Sequence, residues 1–396
     1  MGASMTSAYI LSGCRTPIGK FLGSLCLVSA TDLGGLAVAE AIRRSGVSPA
    51  AVDQVIMGNV LSAGLGQAPA RQAALKAGIP PTVAALTINK VCGSGLKAVM
   101  LADQAIRLAE ADVVVAGGME NMSQAPHLLT NVRAGWKLGE RSAIDSMVND
   151  GLWCSFEDHH MGVSADYIAD QQQVSRADQD AYAVESHKRA ITAVDQGKFA
   201  EEIISVTVAG RKGDSIVEFD EGPRADTSSA ALEKLRPSFG SQGSVTAGNA
   251  SQLSDGAAAV VVASETLALN TDSSIKARIV ASATSGVEPK EIFIAPVKAI
   301  QKVLDKASLA VEDIDLFELN EAFAAQSLAC VRPLNLDPTK VNVNGGSIAL
   351  GHPIGASGAR ILVTLLHALA DRNLRRGLAS LCLGGGNAVA MIVERV

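Results

Sequence analysis

The sequence predicts an α/β protein built in layers, and three observations lead there. Strands alternate with helices along most of its length. One unit of strand, glycine-rich turn and helix occurs twice. The apolar residues that fill the core are aliphatic: hydrophobic residues make up 48% of the 396 positions but aromatic ones only 3%. Aliphatic, β-branched runs suit strands covered on both faces by helices. The length exceeds one ordinary core and suggests two or three units.

The first copy of the repeated unit is a strand at Leu86–Lys90, the turn Val91-Cys92-Gly93-Ser94-Gly95, and a helix from Leu96 to Ala109. The second is a strand at Lys340–Asn344, the turn residues Gly345-Gly346 and Gly351-His352-Pro353-Ile354-Gly355, and a helix from Ala356 to Ala370. Each helix leads into an apolar strand ending in glycines, Asp112–Ala116 before Gly117-Gly118 and Ala379–Leu383 before Gly384-Gly385-Gly386. The repeated order points to an internal duplication with mainly parallel sheets. From Asn121 to about Gly248 the texture is more polar. This stretch carries Trp136, Trp153, a helix over Arg176–Gly197, and the basic residues Arg211, Lys212, Arg224, Lys234 and Arg236. A long insertion after a strand is a common place for substrate-binding elements. Thr246–Ala263 returns to the apolar, glycine-rich pattern.

Charge and cysteine usage exclude several classes. A net charge of −6 gives no basic footprint for nucleic acid. No run of about 18 apolar residues suggests a membrane span. The cysteines at 14, 26, 92, 154, 330 and 382 have neither CxxC spacing nor a Cys/His pattern suited to zinc, so they read as thiols of a reducing, cytoplasmic compartment with no metal site. Met1-Gly2 with Thr6 formally fits a myristoylation pattern, but Met5 reads better as a natural start after a short extension.

Four positions could carry chemistry. Cys92 lies at a helix start between glycines, where amide groups favour an anion and are expected to lower the thiol pKa; a lone cysteine is more commonly structural. His352, glycine-flanked at a second helix start, is placed to act as a base or to shape its loop. Cys382 ends a buried strand beside glycines whose N–H groups could hold an oxyanion. If the duplication brings the two halves together, Cys92 and His352 form a nucleophile and its base, with Cys382 as a proton-transfer group. Asn320 in Asn320-Glu321-Ala322-Phe323 could orient a water or donate to an oxyanion, and it also reads as the N-cap of a helix over Ala322–Ala329.

Across essentially the whole chain these segments resemble the thiolase family. The four blocks fall in the family's order: Asn89-Lys90-Val91-Cys92-Gly93-Ser94-Gly95, Asn320-Glu321-Ala322-Phe323, Asn342–Gly346 through Gly351-His352-Pro353-Ile354-Gly355-Ala356-Ser357-Gly358, and Cys382-Leu383-Gly384-Gly385-Gly386. The resemblance implies αβαβα layers with mixed sheets in two duplicated halves. The N-terminal half would be 1–120 with 249–272, the inserted coenzyme A-binding loop domain 121–248, and the C-terminal half 273–396. It implies reversible Claisen condensation of two acetyl-CoA to acetoacetyl-CoA and CoA, with CoA as substrate and product and no separate cofactor. In that reading Cys92 carries the acetyl group, His352 activates it, and Cys382 moves the α-proton. One oxyanion hole is His352 with a water on Asn320. The other is the N–H groups of Cys92 and Gly384.

The insertion resembles the short-chain biosynthetic branch at Gly151-Leu152 and His159-His160-Met161-Gly162. Arg224 and Thr246–Ser251 resemble the rest of its pocket. The substrate-binding set implied is Leu152, His160, Met161, Arg224, Phe239, Ala247, Ser251, Ala322 and Phe323. A homotetramer is implied as well, through Asn121–Ser146. A degradative thiolase for longer 3-oxoacyl-CoA is the alternative, whereas Cys382 speaks against a Cys–His–His condensing synthase. The retained Cys92, His352, Asn320 and Cys382 speak against an inactive scaffold. Four departures stand out. Ala388 replaces a usual glycine and is expected to crowd a turn. Ser347 and Leu319 stand where Ala is more common. Gly222 replaces an aromatic that some relatives use at a potassium site, so no ion activation is expected.

Overall fold

The computed structural model describes residues 7–396; the Met1-Gly2 pattern with Thr6 lies outside the described residues. The N-terminal elements are β1 (Ala8–Arg15), α1 (Ala30–Ser45), β2 (Gln54–Gly58), α2 (Pro69–Lys76), β3 (Ala84–Ile88), α3 (Ser94–Arg107) and β4 (Val113–Asn121). After the insertion, with α4 (Met161–Gln171) and α5 (Arg176–Asp195), comes β5 (Ser254–Ser264). Then follow β6 (Ala277–Gly286), α6 (Ala295–Ala307), β7 (Leu316–Leu319), α7 (Ala324–Val331), α8 (Ser357–Asp371), β8 (Arg376–Leu383) and β9 (Asn387–Arg395).

The strands form one continuous ladder in the order β7-β8-β9-β6-β1-β5-β4-β2-β3. In the first half β3 and β4 flank β2 in parallel, and β4, β5 and β1 then run antiparallel in turn. The second half repeats this: β7 and β8 are parallel, and β8, β9 and β6 antiparallel. The halves meet where β1 pairs with β6 through Tyr9–Arg278 and Ile10–Ala277. The sheets are therefore mixed rather than mainly parallel. The predicted strand at 340–344 is reduced to one parallel bridge between Phe317 and Val341. Asn342 breaks it: its φ is +47°, and its side chain bonds the Leu319 backbone in both directions, through Nδ2 to the carbonyl and through Oδ1 from the N–H.

Three apolar layers separate the helices from the sheets. Leu33, Ala37, Val38 and Ala41 of α1 pack with Val113, Val115, Ala259 and Val261 on one outer face. Ala299, Ile300, Val303 and Leu304 of α6 pack with Leu378, Ala390 and Ile392 on the other. Between the two halves of the ladder lie α3 and α8, with Leu96, Val99, Ile106, Ile361, Leu362 and Leu365 in a shared core. This is the αβαβα order. Helix α8 is buried nearly all round, as an apolar helix between two layers must be.

Close approach of α3 and α8 rests on two glycines. A Cβ at Gly95 would meet the Ala359 nitrogen at 2.7 Å, and one at Gly358 would meet the Leu96 nitrogen at 2.4 Å. The contact lies at both helix N-termini, so it brings the Cys92 and His352 loops together. Strands between residues 122 and 253 pair only with one another, in two-stranded ladders. The insertion is anchored by the fully buried Arg15 at the end of β1. Its Nε donates to Glu202 Oε1 at 2.6 Å, and its Nη1 and Nη2 donate to Asp220 at 2.7 and 2.9 Å. Ala388 does not lie in a turn. The reversal is made by Gly385 and Gly386 at φ +81° and +80°, whereas Ala388 lies opposite Cys382 in β9 with its methyl in the α6 core.

Candidate active site

Between β3 and α3 the chain turns sharply at Val91, a β-branched residue at φ +47°. Such a conformation is strained and persists only where its surroundings enforce it. Here Asn89 Oδ1 accepts from the Val91 N–H at 2.9 Å, and Ser94 Oγ donates to the Val91 carbonyl at 2.7 Å while accepting from the Lys90 N–H at 2.8 Å. The turn sets Cys92 just ahead of α3. Burial pushes its thiol up to about 12, and the nearby Glu120 adds to the rise; the N–H groups of Cys92 and Gly384 oppose it. The expected lowering at the helix start is thus reversed: with one wall apolar, desolvation of the thiolate outweighs two amide dipoles.

His352 faces the same cavity. Burial, and then the Arg360 charge, lower its pKa to about 3, so the ring is neutral. Its tautomer follows from its neighbours. Ser357 Oγ donates to the Pro353 carbonyl at 2.9 Å and lies 2.6 Å from His352 Nδ1. With its proton committed, Ser357 accepts from Nδ1–H, which leaves Nε2 as a bare lone pair. Asn320 Nδ2 lies 3.5 Å from that Nε2. Burial raises the Cys382 thiol well above its ordinary value, with Cys92 and Cys330 adding to the rise.

The cavity is about 100 Å³ and is lined by Cys92, His352, Cys382 and Gly384 together with Leu152, His160, Met161, Phe239, Ser251, Ala322 and Phe323. Drug-sized ligands take roughly 300–1,000 Å³, so this space fits the reacting end of a substrate. His160 caps α4: its Nδ1 accepts from the Gly162 N–H at 3.0 Å, which makes Nε2 the protonated nitrogen. Phe239 stacks on His160 with centroids 4.6 Å apart. Gly162 permits this, because a Cβ there would meet the Phe239 ring at 2.1 Å.

The Thiolase, N-terminal domain, family model matches residues 8–266, and the Thiolase, C-terminal domain, model matches residues 273–395. The chain belongs to the thiolase family. It is 50% identical over 392 residues to the acetyl-CoA acetyltransferase of Pseudomonas aeruginosa and 51% identical over 393 residues to that of Escherichia coli; each match covers 99% of this chain and 100% of the relative. A crystal structure of the Bacillus anthracis acetyl-CoA acetyltransferase superposes with a TM-score of 0.97 at 42% identity, covering 99% of this chain and 100% of that one.

Three residues of the anticipated set stand off the cavity wall in this thiolase. Asn320 is fully buried one step behind His352. It is not a helix cap: α7 begins at Ala324 with Phe323 at the cap position. Arg224 is exposed and paired with Asp226 at 3.2 Å, and Ala247 is exposed. The other members of the basic set singled out in the sequence, Arg211, Lys212, Lys234 and Arg236, are exposed too.

Several residues the motifs left aside shape the site. Glu120 accepts from the N–H groups of Val60, Leu61 and Gly355 and from Asn59 Nδ2, tying the His352 loop to the loop after β2. A carboxylate inside an otherwise apolar strand end was the available signal. Gln252 accepts the His352 N–H through its carbonyl at 3.0 Å. Its Nε2 donates to the carbonyls of Gly222, Ile348 and Ala349 at 3.1, 3.2 and 3.2 Å. Among the described residues no helix is long and apolar enough to cross a membrane, and no group of three His, Cys, Asp or Glu side chains is placed to hold a metal ion.

Proposed function

We propose that this thiolase is an acetyl-CoA C-acetyltransferase, condensing two acetyl-CoA to acetoacetyl-CoA and CoA and catalysing the reverse thiolysis. The observation that carries the reading is one small cavity holding two thiols, an imidazole with a bare Nε2, and the Gly384 end of β8. Cys92 Sγ attacks the thioester carbonyl as its proton passes to His352 Nε2; the tetrahedral intermediate expels CoA, which takes the proton of Cys382 and leaves that residue as a thiolate. Cys382 Sγ then removes a proton from the methyl carbon of the second acetyl-CoA. The resulting carbanion attacks the acetyl carbonyl, and Cys92 leaves as the thiolate and takes back the proton held on His352 Nε2. The N–H groups of Cys92 and Gly384 stabilise one oxyanion, and His352, protonated at Nε2, with a water on Asn320 the other. Leu152, His160, Met161, Phe239, Ser251, Ala322 and Phe323 enclose the acyl and pantetheine end. Arg224 and Ala247, both exposed, meet the nucleotide end.

In this reading 1–120 with 249–272 and 273–396 are the duplicated halves, and 121–248 is the CoA-binding insertion. The enzyme is cytoplasmic, consistent with six free cysteines, and needs no cofactor beyond CoA itself. It is a homotetramer, consistent with exposed Leu129, Val132, Trp136 and Leu138 in the 121–146 segment; light scattering tests that. Thiolysis rates on acetoacetyl-CoA and on a long 3-oxoacyl-CoA test the reaction. The proposal predicts strong preference for acetoacetyl-CoA. Equal or better use of the long substrate would favour the degradative reading.

A further inference from the structure

Behind His352 runs a fully buried chain of polar side chains, Glu318, Arg360, Ser347 and Asn320, and only Asn320 approaches the imidazole. Arg360 Nη2 donates to Ser347 Oγ at 2.8 Å, and Ser347 Oγ donates to Asn320 Oδ1 at 2.7 Å. Glu318 Oε2 lies 3.8 Å from Arg360 Nη1. Ser347, Asn320 and Arg360 are 0, 0 and 2% exposed, so bulk water cannot replace these contacts.

The direction of the chain is fixed at one end. A guanidinium has donors and no acceptor, so the Ser347 oxygen must accept from Arg360 and its one proton must go elsewhere. The Asn320 amide oxygen is where it goes. An Asn side chain is nearly symmetric in shape and is oriented by its hydrogen bonds. With Oδ1 held by Ser347, Nδ2 must point toward His352 Nε2 and the cavity. With alanine at 347, the Asn320 oxygen would lose its buried donor, and Arg360 Nη2 would lose its acceptor beside Nε and Nη1, which already lack a hydrogen-bond partner.

We propose that Ser347 is a positioning residue for the condensation: it passes the donor-only character of Arg360 to Asn320, so that Nδ2 faces His352 Nε2 and the water that completes the oxyanion hole. Ser347 touches no substrate. It acts only through Asn320, and this inference rests on the acetyl transfer proposed above.

A double-mutant cycle tests it. Ser347→Ala should lower kcat about 2–12-fold, the range for one neutral hydrogen bond, with KM for acetyl-CoA unchanged. Ser347→Thr, which keeps the hydroxyl, should recover most of the loss. In an Asn320→Ala background, Ser347→Ala should change kcat by less than twofold, because the group it orients is gone. Multiplicative losses in the double variant, or a Ser347→Ala enzyme as fast as the parent, would overturn the proposal. Thermal melts of the same four proteins separate the two readings. A parent without thiolysis activity refutes the proposed reaction, while additive shifts in melting temperature refute the Ser347–Asn320 coupling whatever the activity.

Discussion

Raising the pH should expose how Cys92 is held. Burial takes its thiol up to about 12, and His352, lowered to about 3, carries no charge to offset it. A raised thiol pKa means that the proton is retained, so thiolate grows only as pH rises toward that value. At pH 7 the thiolate fraction would lie far below the few per cent of an ordinary thiol of pKa about 8.5. Alkylation of Cys92 by iodoacetamide in the unliganded enzyme should therefore be slow and rise about tenfold per pH unit from 6 to 9. Quantifying the Cys92 peptide by mass spectrometry gives the profile, and its slope separates charge from access, because access does not vary with pH. A rate that is flat between pH 6 and 8 would show a resting thiolate–imidazolium pair and refute the reasoning. Arrival of the thioester, rather than a pre-formed anion, then initiates proton transfer to Nε2.

Two further outcomes test the framework. Gly95→Ala should destabilise the protein by about 1–3 kcal/mol in chemical denaturation, because its Cβ would press on the Ala359 backbone at 2.7 Å where α3 meets α8; an unchanged midpoint would mean that the two helices separate without cost. Arg15→Met should cost about 3–5 kcal/mol by leaving Glu202 and Asp220 buried without their cation, and a thermal midpoint equal to that of the parent would contradict the anchoring role.

The alternating elements of both halves were legible because they are long and strongly patterned. Helix α8 is displaced by one residue from the predicted 356–370, starting at Ser357 and ending at Asp371, and β8 contains the whole predicted strand. The 340–344 segment has a real apolar alternation yet is not a strand, because Asn342 uses its side chain to satisfy the Leu319 backbone that a strand neighbour would otherwise pair with. Asn320 has the residue type of a helix cap, but tertiary partners at Ser347 and His352 claim its amide instead. The shared cavity of Cys92, His352 and Cys382 was legible from the duplication and the family blocks. The charge state of Cys92 was not, because local sequence shows the helix amides but not the apolar walls that desolvate a thiolate. Ser357 stood within a quoted block without a role, and that role became visible only when Pro353 fixed its proton.

The most direct test of the central claim follows the acetyl group. The parent, Cys382→Ala and Cys92→Ala proteins are incubated with acetyl-CoA, digested and mapped by mass spectrometry, with acetoacetyl-CoA formation measured alongside. Acetyl should appear on the Cys92 peptide in the parent and in Cys382→Ala, and on no peptide of Cys92→Ala. Condensation by Cys382→Ala should fall by at least about 10²-fold, as loss of a general base requires. Acetyl on another cysteine with Cys92 unmodified, or Cys382→Ala condensing at close to the parental rate, would contradict the account.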